Sequence, residues 1–284
     1  DVIRMSGGYS ENVTGAGVNH PDGAIVYYYL KDYDEKDTVS LSFMDGAGEE
    51  IISYNNYSKD RKLKVEEGAN RFIWNMRYPS AERFDGMILW AASLRGATAI
   101  PGDYKVELTH NGKSETSSFT IVPDPRMESS QEDLESQFDF IQGINDKVSE
   151  AHQVIKDIRA LKGKLTSFKD SSKVDAEVAS MAIDIDTTIS NIEKDLYQTK
   201  NKSNQDPLNF PIKLTNKLGA VASGASYGDF RPTDQAIAVR DELTAKIDAL
   251  LDDFYQVRDE KLPEMNEMIR QKQIDVISIP VKKD

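Results

Sequence analysis

The chain has 284 residues, with 35 basic and 48 acidic side chains and a formal net charge of −13. It has no cysteine and only three histidines, His20, His110 and His152, none in an HxH or HExxH pattern. This excludes a disulfide scaffold, a thiolate zinc or iron–sulfur site and a cysteine nucleophile, and it marks no metal and no cofactor. The acidic balance argues against a nucleic-acid binder, which needs a basic face, and no apolar run approaches the roughly 20 residues of a membrane span.

The chain opens on Asp1 rather than Met, which reads as a cut or processed product. Residues 1–20 are rich in Gly, Ser and Asn and read as an extended or partly disordered lead-in. Residues 21–123 read as a β-sandwich. The first 123 residues hold both tryptophans, 9 of the 12 tyrosines and 12 of the 17 glycines, and aromatic and β-branched runs between Gly, Asn and Asp turns suit strands. Seven runs are expected in order: Ile25–Leu30, Thr38–Met44, Glu50–Tyr54, Arg71–Met76, Met87–Ala91, Tyr104–Leu108 and Thr116–Val122. Val39, Leu41 and Phe43 share one face, as do Phe72, Trp74 and Met76. Asn111-Gly112 between two alternating runs is a hairpin signal, because both residues tolerate positive φ. Seven short strands with turns between them suggest an immunoglobulin or fibronectin-like sandwich.

Residues 124–130 read as a linker, with Pro123 and Pro125 interrupting regular structure and Ser129-Ser130 before Glu132-Asp133 as a capped helix start. From there the period becomes helical, so 131–273 reads as an antiparallel three- or four-helix bundle and the whole chain as α+β with two domains. Leu134, Ile141, Val148 and Ile155 recur every seven residues, as do Ile144, Ala151, Ile158 and Leu165. A second helix is expected from near Ser172, with Val174, Val178, Met181, Ile185, Ile192 and Leu196 on one stripe. A third is expected from Thr233, with Ile237, Leu243, Ile247, Leu250, Phe254 and Val257 aligned. Pro263 should kink or end it, with Met265, Met268 and Ile269 marking its resumption, and Phe210–Ser223 offers a fourth. The tail 274–284 contains a β-rich stretch suited to a sheet edge.

Chemistry-bearing patterns are sparse. Asp184 and Asp186 lie two apart on an expected helix and face different ways, and Asp252-Asp253 and Asp259-Glu260 fit a solvated face. Ser6-Gly7-Gly8 and Gly15-Ala16-Gly17 lack the strand–helix context and the Lys of a phosphate loop. Arg71 and Arg77, which flank the Trp74 run, suit structural ion pairs or a domain contact. Tyr28, Trp74, Tyr78 and Trp90 are the candidates for stacking on a carbohydrate, against the plainer reading of core rings and edge rings.

Three stretches in combination resemble a known family. They are Asn70–Pro79, Pro101-Gly102-Asp103-Tyr104 followed by Pro123-Asp124-Pro125-Arg126, and Lys213–Leu218 with Asp229-Phe230-Arg231-Pro232-Thr233. They resemble the C-terminal region of large secreted bacterial proteins with bacterial-neuraminidase (BNR) or sortilin-like β-propeller repeats. Such proteins are frequent in Bacteroidetes and often labelled glycosyl hydrolases. The resemblance implies a secreted or periplasmic location and an upstream propeller as partner. It carries over no catalytic residue, because no Asp-box repeat is present here. The expectation is a non-catalytic accessory region that acts in domain packing or partner binding. The alternatives are a carbohydrate-binding module and, third, a self-contained glycoside hydrolase using a carboxylate pair.

Overall fold

In the computed structural model, the residues described are 2–3, 21–169 and 174–272. The chain is mixed α+β: a small sandwich-like sheet region is followed by a helical region. The strands are β1 (Val2–Ile3), β2 (Ala24–Leu30), β3 (Val39–Met44), β4 (Glu50–Asn55), β5 (Gly68–Trp74), β6 (Gly102–His110) and β7 (Lys113–Val122). One sheet has the order β1-β7-β6-β3-β4 and the other pairs β2 with β5. All pairings are antiparallel except β1 on β7. The lead-in thus contributes a short strand, Val2–Ile3, and its other residues lie outside those described.

The alternation read from sequence decides what fills the sandwich. Val39, Leu41 and Phe43 are fully buried, as is Trp74. Trp74 stacks on Phe43 at 4.6 Å between centroids and meets Phe119 edge-on at 6.2 Å, and Tyr104 lies at 6.0 Å. Such ring pairs add about 0.5–1.5 kcal/mol each beyond area burial. The Asn111-Gly112 hairpin forms with φ of 48° and 79°, the positive pair that a type I′ turn requires. The Tyr104 hydroxyl donates to the Ile100 carbonyl at 2.8 Å, pinning the entry to β6.

Six of the seven expected runs are strands. Met87–Ala91 is not: it has no strand partner and is irregular. Side chains hold part of its backbone, with Ile88 N–H donating to Tyr197 Oη at 2.9 Å. A short apolar run does not by itself name its partner or guarantee burial: Met87–Leu89 are half-buried and Trp90 and Ala91 are exposed.

The helices are α1 (Gln131–Leu165), α2 (Ala176–Leu196), α3 (Leu214–Ala225), α4 (Asp234–Gln256) and α5 (Leu262–Gln271). A π-turn over Val257–Lys261 joins α4 to α5, so the helical region holds four rods among the described residues. The π-turn lets the helix run past Pro263, whose ring would crowd a regular i−4 carbonyl. All eight residues of the seven-residue repeat in α1 are buried. Ser130 caps it: its Oγ accepts from Asp133 N–H at 3.2 Å, and its own N–H donates to Asp133 Oδ2 at 3.1 Å. The second helix starts later than Ser172, at Ala176, because Asp175 is the cap and accepts from Glu177 N–H. Thr233 caps α4 by accepting from Ala236 N–H. The β-rich stretch of the tail lies outside the described residues.

Compact packing divides the chain into two units that cross the cut after Pro123. One contains Asp1–Ala81, Leu94–Asn145 and Ala222–Ile237, and the other contains Glu82–Ser93, Asp146–Val221 and Ala238–Asp284. Within the first, buried Asn145 donates to the Arg95 carbonyl at 2.9 Å. Gly96 there lies so close to Tyr78 that a Cβ would sit 1.8 Å from the Tyr78 carbonyl oxygen. Within the second, Glu82 N–H donates to Ser149 Oγ at 2.9 Å, drawing the Met87–Ala91 run into helical company.

Candidate functional site

The residues singled out for stacking separate clearly by exposure. Trp74 is wholly enclosed, its ring taken by Phe43, Tyr104 and Phe119, so it presents no face to a ligand. Tyr28 points into the sandwich and packs against its core. Burial, followed by the neighbouring Tyr33, pushes its hydroxyl up to about 12, and that oxygen has no hydrogen-bond partner among the described residues. Tyr78 is half-buried, with its ring edge-on to Phe138 at 4.7 Å. Trp90 is exposed, at 38 %. Its neighbours in sequence type are Tyr27 (72 %), Tyr29 (69 %), Tyr57 (70 %), Tyr227 (81 %) and Phe230 (60 %). Strand alternation required the three consecutive tyrosines of β2 to split between faces, and the β2–β5 register turns Tyr27 and Tyr29 outward.

Two of the segments that carry exposed rings share one construction: a buried amide side chain grips the backbone at or next to a residue with positive φ. In the second unit, Asn216 of α3 accepts from Trp90 N–H and donates to Trp90 C=O, both at 2.8 Å. Ala91, which follows, has φ 50°. Asn216 is itself held in place because its neighbours Thr215 and Leu218 are fully buried, and Thr215 Oγ1 donates to the Leu196 carbonyl. In the first unit, buried Gln137 of α1 donates to the carbonyls of Ala225 and Gly228, both at 2.8 Å, which shapes the loop bearing Tyr227 and Phe230. Gly228 has φ 76°, and a Cβ there would collide with the Phe230 ring. Arg231 Nη2 extends to Glu132 at 2.6 Å, tying down the far side of the same loop.

Asn70 on β5 grips backbone in a similar way, on a segment that itself carries no exposed ring. Its amide donates to Glu66 C=O at 2.7 Å and Gly68 C=O at 3.0 Å and accepts from Glu66 N–H at 2.9 Å. Gly68 has φ 90°, and Tyr29 lies beside it. A hydrogen bond of this kind contributes about 1 kcal/mol net, and each backbone group left unpaired on its removal costs about 1–3 kcal/mol. Left-handed backbone at a non-glycine such as Ala91 costs about 1–2 kcal/mol.

The remaining buried polar groups serve the fold. Asp124 in the Pro123–Arg126 stretch is buried, and its carboxylate grips the Arg126 side chain and accepts from the Arg126 N–H, which lowers it to about 2. Glu193 is buried and meets Arg159 at 2.8 Å and Lys162 at 3.1 Å. Arg159 also lies 4.6 Å over the Phe84 ring. His152 is fully buried, with Nδ1 donating to the Glu82 carbonyl at 2.7 Å and the Phe84 ring edge-on at 5.0 Å. Its Nε2 has no partner among the described residues. Arg77 donates to the Gly96 carbonyl, and Arg71 is exposed and forms no ion pair among the described residues. No group of three or more His, Cys, Asp or Glu among the described residues is arranged to hold a metal ion. No helix among them is long and apolar enough to cross a membrane.

No protein-family model matches the chain, and neither a curated protein nor a solved structure resembles it to a significant degree.

Proposed function

We propose that this chain is a non-catalytic accessory region of a larger secreted or periplasmic bacterial protein, acting in domain packing or partner binding. The observation that carries the reading is the set of exposed rings, Trp90, Tyr227 and Phe230, on segments whose backbone is gripped by Asn216 and Gln137. Aromatic residues held rigid at a surface supply contact area at low entropic cost and are the residue type enriched at interface centres. The finer architecture belongs to the same proposal: an immunoglobulin or fibronectin-like sandwich joined to an antiparallel helical bundle. Two features favour it. Strands β1, β7, β6, β3 and β4 lie opposite β2 and β5, with β1 parallel to β7, and Tyr104 bonds back to the corner before its strand as a tyrosine corner does. The partner expected from the family resemblance is an upstream propeller of the BNR or sortilin-like type.

The test is size-exclusion chromatography of the chain mixed with that propeller, with W90A and the double variant Y227A/F230A alongside. Co-elution that is weakened by either variant supports the proposal. Absence of association, both in the mixture and in the parent protein cut between the two parts, overturns it.

A second reading, a carbohydrate-binding module, is favoured by Trp90 alone, an exposed indole on a clamped backbone. Affinity electrophoresis in neutral polysaccharides with wild type and W90A tests it.

A further inference from the structure

We infer that the loop Tyr57–Lys64, between β4 and β5, is a binding site for an acidic polysaccharide, a linear chain carrying carboxylates. Within residues 59–64 stand Lys59, Arg61, Lys62 and Lys64 against the single carboxylate of Asp60, a local net charge of +3 in a chain whose total is −13. All four cations are exposed, and none has an ion pair among the described residues. The contrast with the helical region is sharp. There Lys147, Lys156, Arg159, Lys162, Lys261 and Lys272 each meet a carboxylate within 3.1 Å. Four neighbouring cations that repel one another, left unpaired on an acidic protein, form a positive patch that attracts an anionic partner from outside the chain.

The loop is built rather than loose. Asn55 N–H donates to the Arg61 carbonyl at 3.1 Å, and Leu63 N–H donates to the Asn55 carbonyl at 2.8 Å. Asn55 Oδ1 accepts from Ser58 N–H at 2.7 Å, and Ser58 Oγ accepts from Arg61 N–H at 3.2 Å. None of these bonds uses a charged side chain, so the cations are free to contact a ligand. Leu63 is anchored in the sandwich core. From Lys62 to Glu66 exposed residues alternate with buried Leu63 and half-buried Val65, which sets Lys62 and Lys64 on one outward face. A row suits a repeating linear anion; a single phosphate would need the cations to converge. Tyr57, at the start of the loop, presents its ring to solvent and offers an apolar face for a sugar ring.

A nucleic acid would meet the same cations, but a single strand is held by a succession of aromatic platforms for its bases, and the loop offers one exposed ring, Tyr57. Glu66 and Glu67 end the basic run and limit the contact to a few sugar units. The inference is independent of Trp90, which lies in the other unit.

Native affinity electrophoresis in polygalacturonate tests it, with fully methyl-esterified pectin as the uncharged counterpart. Single-stranded oligothymidylate and phosphatidylserine vesicles serve as competing polyanions. Retardation by polygalacturonate that added salt weakens and the ester does not reproduce is the expected result. The variant K59E/R61E/K62E/K64E is expected to lose at least about tenfold in affinity, since it turns attraction into repulsion, and Y57A a smaller, severalfold amount. Far-UV circular dichroism and thermal unfolding of both variants should match wild type, because the loop is pinned by Asn55 and Ser58. The inference is overturned if polygalacturonate does not retard wild type, or if the ester retards it equally. Equal retardation of the reversed-charge variant, or tighter binding of oligothymidylate or vesicles, also overturns it. Loss of W90A binding to a neutral polysaccharide would leave this result untouched, so the two carbohydrate readings fail separately.

Discussion

Around Trp74 the sandwich buries rings against rings, with Phe43, Tyr104 and Phe119 in contact with the indole and no charged group among them. Along α1, α2 and α3 the helical region does something different. Between aliphatic stripes it encloses His152, Glu193, Thr215 and Asn216. Dispersion and area burial hold the first, and they respond weakly to pH and to the loss of any one hydrogen bond. In the second, several kcal/mol depend on polar groups having the right partners, because an unpaired buried group is costly. Tolerance therefore differs between the two interiors: the ring core around Trp74 is sensitive to volume, and the polar interior of the helices to protonation and hydrogen-bond geometry.

The largest expected effect tests the sandwich side. Trp74→Ala should destabilise the first unit by about 3–5 kcal/mol, the range for removing a large buried ring, seen as a drop in the urea midpoint. A midpoint within error of wild type would break the contrast at its strongest point. Next, Asn216→Ala leaves the Trp90 N–H and C=O without partners and should cost about 2–4 kcal/mol, read in the same titration. Asn216→Asp should recover only part of this, since the carboxylate can accept from the N–H but has nothing to donate to the carbonyl.

The third prediction concerns acid. Burial, the largest influence, holds the His152 imidazole below its ordinary 6.5, with Arg83 and Lys156 adding to this and the Glu82 carbonyl and carboxylate opposing it. The unfolded chain therefore binds the proton first as pH falls, so stability is complete above about pH 7.5 and declines through the ordinary histidine range until the folded value is reached. The slope is at most about 1.4 kcal/mol per pH unit. Thermal melts from pH 8 to 5 should show it in wild type and a flatter profile in His152→Gln. An equal slope in both would assign the acid sensitivity elsewhere. Last, Trp90→Ala should change stability by no more than about 0.5 kcal/mol, as an exposed ring does, while weakening partner association.

The sequence declares the helical stripes plainly. Eight positions of α1 spaced by seven are all inside, because a long amphipathic helix has only one face to bury. Asn111-Gly112 was equally readable, since the two residues that accept positive φ stand together. What could not be read depended on partners distant in sequence. Tyr28 rather than Tyr27 and Tyr29 turns inward because of the register with β5, and a one-residue shift would reverse it. The Met87–Ala91 run carries no mark of Tyr197 and Asn216, more than 100 residues away, which supply its hydrogen bonds. Trp90 itself was named from sequence; the clamp that makes it a candidate site was not. Over the first 123 residues 18 acidic groups outweigh 13 basic ones, and this balance hides the basic loop. Charge acts over roughly a Debye length, about 8 Å at physiological ionic strength, and a window of that size finds it.

The burial of one tryptophan and the exposure of the other have an optical consequence. Trp74 belongs to the first unit and Trp90 to the second, and the chain has no others. The enclosed indole should emit at shorter wavelength and resist quenching by iodide, and the half-open one should emit to the red and be quenched. Each unit thus carries its own fluorescent reporter, and replacing either tryptophan with phenylalanine leaves a single-colour probe of the other.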